Sequence, residues 1–415
     1  MGFVASIHAQ QITNLPYSRY GLGQSFQSGT VRNLAMGGAG IASFEQNTVH
    51  VLNPAGLAGN PYTFADASFL LYRNFVTQGN SFQMNNSSSL GYIFLSAAVS
   101  KRWNVMIGLT NGSEVKFNYK DRLEAAGISS SNVERELRGT GNLSNLHLAQ
   151  GIKLSKKLSV GAQATYEFGS LDYQNSYRLE INGRLEKYKT VLLDINRYNN
   201  LRLKGGVLYR IEDTDNQVGR APVVYSLAAT AEAGWGLRNS RLLIFQRWNA
   251  EDDVPFLFDD TVQFNGSNNL TIPLALQAGF SAGRQGQWMT HVDAGYTFWD
   301  QYANAGRSEP LFNAASVRVG GLWIPNQNSG YFKRVGYRLG GYLAQTALII
   351  DNQRINDIGI TFGLSLPVDK LSRLNLALMY GNRGLESATT VREQYLQLSV
   401  SYSLVDRWFV RYRTD

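Results

Sequence analysis

The chain has 415 residues, no cysteine, and 17% charged residues, against about 25% in an ordinary soluble domain. That excludes a disulfide scaffold, a thiolate metal site and a cysteine nucleophile. No apolar run reaches the roughly 18–20 residues that a spanning helix needs, and the mean hydropathy is −0.22, so a helical membrane protein is excluded too. The formal net charge of +8 permits an anionic partner but does not choose between nucleic acid, lipid headgroups and lipopolysaccharide.

Residues 1–9, Met1-Gly-Phe-Val-Ala-Ser-Ile-His-Ala9, are apolar and end on a small residue, and read as the tail of a secretory signal peptide. Residues 10–61 are rich in Gly, Asn and small side chains and show no sustained alternation. From residue 62 the pattern turns to period two and holds nearly to the end. Strands are predicted near 62–74, 89–100, 103–119, 139–154, 158–177, 189–210, 223–247, 269–283, 288–300, 313–325, 332–346, 354–366, 371–382 and 393–405. In the last of these, Leu396, Leu398, Val400, Tyr402 and Leu404 alternate with Gln397, Ser399, Ser401 and Ser403. Successive side chains point to opposite faces, so each segment has one apolar and one polar face.

The connections alternate in length. Those after even strands are short, as at Lys101-Arg102, 155–157, 283–287, 325–330 and 367–370, with 211–222 the exception. Those after odd strands are longer: 75–88, 120–138, 248–268 and 301–312, with a short helix expected within 120–138 as a lid or partner surface. Short turns at one end and long loops at the other are the pattern of outer-membrane barrels. A soluble sandwich would use shorter strands, and a propeller would repeat every 40–50 residues or so.

The expected fold is therefore all-β: a transmembrane antiparallel β-barrel of about fourteen strands over 62–415, in the bacterial outer membrane beside lipid and lipopolysaccharide. A barrel that wide has a bore its own side chains cannot fill, so residues 10–61 are expected in the lumen as an N-terminal hatch. Tyr296, Phe298, Trp299, Trp323, Tyr402, Trp408 and Phe409 are candidates for the interfacial aromatic girdles.

Two strands carry further signals. From Leu90 to Val99 both faces are apolar, with Tyr92 and Phe94 on one and Ile93, Leu95 and Val99 on the other. A water-filled pore would keep its inner face polar, so Ile93, Leu95 and Val99 are assigned to the lumen or to hatch contact. In the third strand, Asn111-Gly112-Ser113 marks a kink or an ordinary bulge in the wall.

Met36-Gly37-Gly38-Ala39-Gly40 followed by Asn53-Pro54-Ala55, ahead of a barrel, resembles the FadL-type outer-membrane transporters of long-chain fatty acids and other hydrophobic compounds. At the carboxyl end, Tyr380 to Gly384, Glu393 to Tyr395 and Leu404 to Phe409 resemble divergent members, although the chain closes on Asp415 and not on an aromatic residue. The resemblance implies that the Asn-Pro-Ala element belongs to a hatch. It also implies that a kink in the third strand makes a lateral opening, through which a hydrophobic ligand diffuses into the bilayer.

Other chemistry finds no constellation. The four histidines are His8, His50, His147 and His291, and Ser144 and His147 fall on opposite faces of one strand, so no hydrolase pair forms there. The acidic runs at 212–215, 251–253 and 259–260 lack calcium-loop spacing, and Gly37-Gly38 is not followed by Gly-Lys-Ser/Thr. No enzyme, cofactor, metal or nucleic-acid partner is expected. Two functions stand. One is passive uptake of a hydrophobic small molecule by lateral diffusion. The other is an accessory barrel with outer-membrane protein partners, in a type IX secretion translocon or a barrel-assembly complex.

Overall fold

Alternating faces suit a wall that has different surroundings on its two sides, and the chain closes into such a wall. The computed structural model describes residues 15–406 apart from 28, 47, 80, 125–130, 214–220, 257–261, 268–269, 305–310, 327–329, 351 and 385–390. The barrel strands are β1 Thr63–Gln78, β2 Ser81–Ala98, β3 Trp103–Glu124, β4 Ser131–Lys153, β5 Leu158–Ile181 and β6 Tyr188–Asp213. They continue as β7 Val223–Gly236 resuming at Ser240–Asn249, β8 Val262–Ser267 resuming at Leu270–Arg284, and β9 Trp288–Thr297. The ring is completed by β10 Ala314–Trp323, β11 Gly336–Ile350, β12 Gln353–Pro367, β13 Arg373–Arg383 and β14 Arg392–Asp406. Each strand pairs antiparallel with the next over at least part of its length, and β1 pairs with β14 from Thr63↔Asp406 to Thr77↔Arg392, which closes the ring. Closure is what a bilayer demands, because unpaired backbone groups in hydrocarbon cost several kcal/mol each.

Leu, Ile, Val and Phe side chains cover the outside, and the core lies in the bore, where buried residues of the N-terminal segment cluster with inward-facing wall residues. Tyr296, Trp323 and Tyr402 point outward, as girdle residues must, while Phe298 packs edge-on against Tyr296 at 4.9 Å. Trp408, Phe409 and residues 1–9, read above as the tail of a signal peptide, lie outside the described residues.

The wall is uneven. Strand β9 has 10 residues and β5 has 24; at ~3.3 Å per residue and ~40° of tilt they rise about 25 and about 60 Å. A hydrocarbon layer about 25 Å thick accounts for the short strands only. Above that level the tall β3–β5 wall carries ion pairs on its outer face, Lys120–Glu136 and Arg122–Glu180, with Tyr177, Leu179 and Ile181 exposed on its inner face.

Two sequence expectations are corrected. The helix expected within 120–138 is absent from its described residues: Lys120–Glu124 and Ser131–Arg138 prolong β3 and β4 and pair from Lys120↔Glu136 to Glu124↔Asn132. Ile93, Leu95 and Val99 do not face the lumen or the hatch; they are 41%, 52% and 50% exposed on the outer face, while Tyr92 and Phe94 turn inward. Two apolar faces leave inside and outside undecided by pattern. The Tyr92 hydroxyl decides it, since it needs a polar partner and finds one only in the bore.

Candidate functional site

Residues 15–60 occupy the bore and contact all fourteen strands. The sequence explains how so irregular a segment holds a shape. Thr30 precedes a single helical turn, Val31–Leu34, and both its backbone N–H and its hydroxyl donate to Asn33 Oδ1 at 3.1 and 2.9 Å. Asn33 Nδ2 in turn donates to Ala39 O at 3.0 Å, which closes the turn Met36–Gly40. Gly37 and Gly38 sit at φ +69° and +80°, a left-handed conformation that glycine adopts without a Cβ penalty. In the second motif, Asn53 Oδ1 accepts from Ala55 N at 3.0 Å and caps the 3₁₀ turn Pro54–Leu57, where Pro54 lacks a donor that would otherwise go unpaired.

Both motifs seat against wall positions that have no side chain. Gly151, Gly161 and Gly206 are register partners across β4, β5 and β6 and face inward together. A methyl on Gly161 would lie 2.3 Å from Ala55 N, and one on Gly206 2.1 Å from Asn53 Oδ1. Asn53 Nδ2 then donates to Val207 O at 3.1 Å and to Ile41 O at 3.2 Å, tying strand to hatch. Across the bore, Gly320 and Gly340 are partners on β10 and β11, and a methyl on either would lie within 2.4 Å of the Met36 backbone or side chain. Around this seat Gly37 N donates to Thr361 Oγ1 (2.8 Å), and Gly40 N and Ile41 N donate to Asp293 Oδ2 (2.6 and 2.9 Å).

The electrostatic centre was not evident in the sequence. Glu45 of the hatch accepts from Arg338 Nη2 of β11 at 2.9 Å and from Arg32 Nη1 at 3.1 Å, and both arginines are 2% exposed. Arg32 Nε reaches Asn375 on β13, and Arg338 Nε reaches Ser365 on β12. Burial works to raise the Glu45 pKa, but the two guanidinium groups outweigh it and hold the carboxyl at about 2. Burial lowers His50, whose Nε2 donates to Glu45 O, to about 4, so the ring is neutral. The Val31 N–H donates to the Tyr92 hydroxyl at 3.0 Å.

On the wall, the β2–β3 pairing ends at Tyr92↔Thr110 although both strands continue, and the β3–β4 register shifts between Asn111 and Ser113. Above that point the hatch takes the β3 edge. Gln24–Ser25 pairs with Glu114 and Ser113, Phe26 N donates to Gly112 O at 3.1 Å, and Leu15 N to Lys116 O at 3.0 Å. On the facing edge, Asn111 Nδ2 covers Leu90 O at 2.7 Å. The break in the wall is thus filled by the chain's own N-terminal segment.

His147 lies on the inner face among Thr110, Thr165 and Gln163. A Ser–His contact that the sequence reading missed, Ser281 Oγ to His291 Nδ1 at 2.6 Å, is fully buried in the wall, so it is a packing hydrogen bond.

Residues 1–415 match the family model described as BamG. No curated protein matches the chain. Among solved structures it is similar to the toluene transporter TodX of P. putida, at 14% identity and a TM-score of 0.58, over 93% of this chain and 100% of that one. A FadL homologue of Pseudomonas aeruginosa gives 10% identity and a TM-score of 0.61, over 92% and 100% of the two chains. The CymD monoaromatic hydrocarbon channel gives 13% and 0.56, over 90% and 96%. At these identities the likeness is one of fold.

Proposed function

The chain belongs to the BamG family, and from that premise we propose that it is a bacterial outer-membrane barrel with a sealed bore, acting as an accessory subunit of a barrel-assembly complex. The observation that carries the reading is the seating of residues 15–60: glycine seats on opposite walls, a buried Arg–Glu–Arg bridge and backbone hydrogen bonds tie it to strands around the whole circumference. Opening a path would part Glu45 from the wall and leave Arg338 buried without its carboxylate, which costs about 3–5 kcal/mol. A barrel built this way serves best through its surfaces. Affinity capture of the tagged chain from native membrane in mild detergent, with mass spectrometry of proteins and lipids, tests it. Stoichiometric outer-membrane partners are expected; a chain recovered alone refutes the reading.

A second reading is passive uptake of a hydrophobic small molecule. The break between β2 and β3, and the apolar inner face at Tyr177, Leu179 and Ile181 above the hatch, favour it, and the neighbours TodX and CymD are described as a toluene transporter and a monoaromatic hydrocarbon channel. Hydrophobic ligand in the captured material, lost when Gly112 is replaced by a bulky residue, would support this reading.

A further inference from the structure

We propose that the short-turn mouth of the barrel, its periplasmic end by the loop-length rule, docks an acidic polypeptide segment of a partner protein. The inference rests on the accessory-subunit reading and specifies the chemistry of one contact.

The chain's charge is concentrated at this end. The hairpins carry Lys101-Arg102 and Lys156-Lys157, and the helical turn before β11 carries Lys333-Arg334, all exposed. Arg284 and Lys370 extend this rim on the outside. Lys153, Arg210 and Arg373 occupy inward-facing positions at the lower ends of β4, β6 and β13 and so line the mouth beneath the hatch, with the Arg210 guanidinium 5.8 Å over the Phe44 ring. Facing these eleven cations are five carboxylates among the described residues: Glu212, Asp213, Asp369, Asp406 and, buried on the inner face three residues into β1, Asp66. Asp369 is already engaged by the Leu371 and Ser372 N–H groups of its own turn. Eleven against five leaves a surplus of six, beside a surplus of ten over all described residues, which hold 34 Lys and Arg and 24 Asp and Glu.

Pairing separates this end from the rest. None of the eleven cations forms an ion pair among the described residues, whereas the ion pairs that do form hold the hatch, the mid-wall and the long-loop end, as at Arg338–Glu45, Lys204–Glu232 and Arg383–Asp357. Arg210 Nε and Arg373 Nη1 are withdrawn from solvent and have no hydrogen-bond partner among the described residues.

The position of the inner three cations selects the partner. Inner-leaflet headgroups lie outside the wall, where they meet the turn lysines and Arg284 but not Lys153, Arg210 or Arg373. Strands β4 and β6 are about 10 Å apart at ~4.8 Å per strand, and β13 lies on the other side of the ring. A group serving all three must cross the mouth with several negative charges, as an extended acidic peptide does. Arginine suits that role because its fork binds a carboxylate through two parallel hydrogen bonds.

The test uses the full chain in phosphatidylcholine nanodiscs, titrated with a fluorescent ten-residue oligoglutamate peptide and read by anisotropy, with oligoglutamine as the neutral control. Saturable binding is expected for oligoglutamate alone, weakened at least tenfold between 50 and 300 mM salt as the Debye length shortens. An Arg210→Gln/Arg373→Gln variant should lose at least tenfold, and a Lys156→Gln/Lys157→Gln variant less; both should keep the heat-modifiable gel mobility of a folded barrel. No saturable binding, equal binding by the Arg210→Gln/Arg373→Gln variant, or loss of binding in phosphatidylglycerol discs would overturn the proposal, the last by assigning the mouth to lipid phosphate. Membrane capture separates the two ideas. Partners recovered equally by wild type and the Arg210→Gln/Arg373→Gln variant sink the docking site alone, and recovery of none sinks the subunit reading.

Discussion

Adding one methyl group to the wall at Gly161 should unseat the hatch. The new Cβ would lie 2.3 Å from both Ala55 N and Pro54 C, backbone atoms that cannot rotate away. Ordinary contact is about 3.4 Å or more, so the 3₁₀ turn must move by about 1 Å, and forced repacking of that kind costs about 1–3 kcal/mol. The shift also stretches the Asn53 Nδ2 bond to Val207 O, now 3.1 Å, beyond hydrogen-bonding range. At the upper end, about 2–3 kcal/mol, the ratio of docked to undocked hatch falls about 30- to 150-fold. Gly205 is the control: it lies one residue from Gly206, the register partner of Gly161, but faces outward, and a methyl there meets nothing within 4 Å. Hydrogen exchange of the Ala55 and Gly56 amides, which donate to Asn53, reads local opening directly. Protection should collapse in Gly161→Ala and stay at the wild-type level in Gly205→Ala. Equal protection in the two variants would refute the glycine-seat argument.

Glu45→Gln keeps the size of the side chain but leaves Arg32 and Arg338 buried without a counter-charge; hatch stability should drop by about 3–5 kcal/mol, seen as protease cleavage within residues 40–55 at protease levels that spare wild type. Acid should loosen the hatch in two windows. His50 is held neutral with its pKa lowered from 6.5 to about 4, so its contribution is present above 6.5 and lost as pH falls towards 4. Glu45 is lowered from 4.5 to about 2, so its share is present above 4.5 and lost between 4.5 and 2. Each is on the order of 3 kcal/mol, and His50→Gln should abolish the upper window in a pH series of exchange measurements. Asn53→Ala removes two donated bonds and the cap on the Pro54 turn, and should cost about 2 kcal/mol in the same assay without altering gel mobility of the barrel.

The wall was legible because its signal is local: alternation over ten or more residues needs no knowledge of neighbours, and closure follows from the solvent the outer face requires. Asn53-Pro54-Ala55 and Met36–Gly40 could be picked out because their backbone demands are written in adjacent residues. The latch could not, since Glu45 is 293 residues from Arg338 and Arg32 is 343 from Asn375. The glycine seat was half visible. Gly151, Gly161 and Gly206 break up otherwise ordinary strands, but that they stand side by side is a matter of register, which turn composition alone did not give. Ile93, Leu95 and Val99 were misplaced for a different reason: where both faces are apolar, hydrophobicity carries no direction, and only the need of the Tyr92 hydroxyl for a partner distinguishes them.

That residues 15–60 touch every stave of the cylinder sets an order of events during biogenesis. Tyr17 donates to the Val391 carbonyl, and Arg32 waits on Asn375, both far downstream in the chain. The stretch nearest the amino terminus therefore emerges early and settles late, since its last anchors do not exist until β13 and β14 have joined the ring. Until then its arginines and its glycine-rich turn stay in water, and the finished plug marks a cylinder that has fully shut.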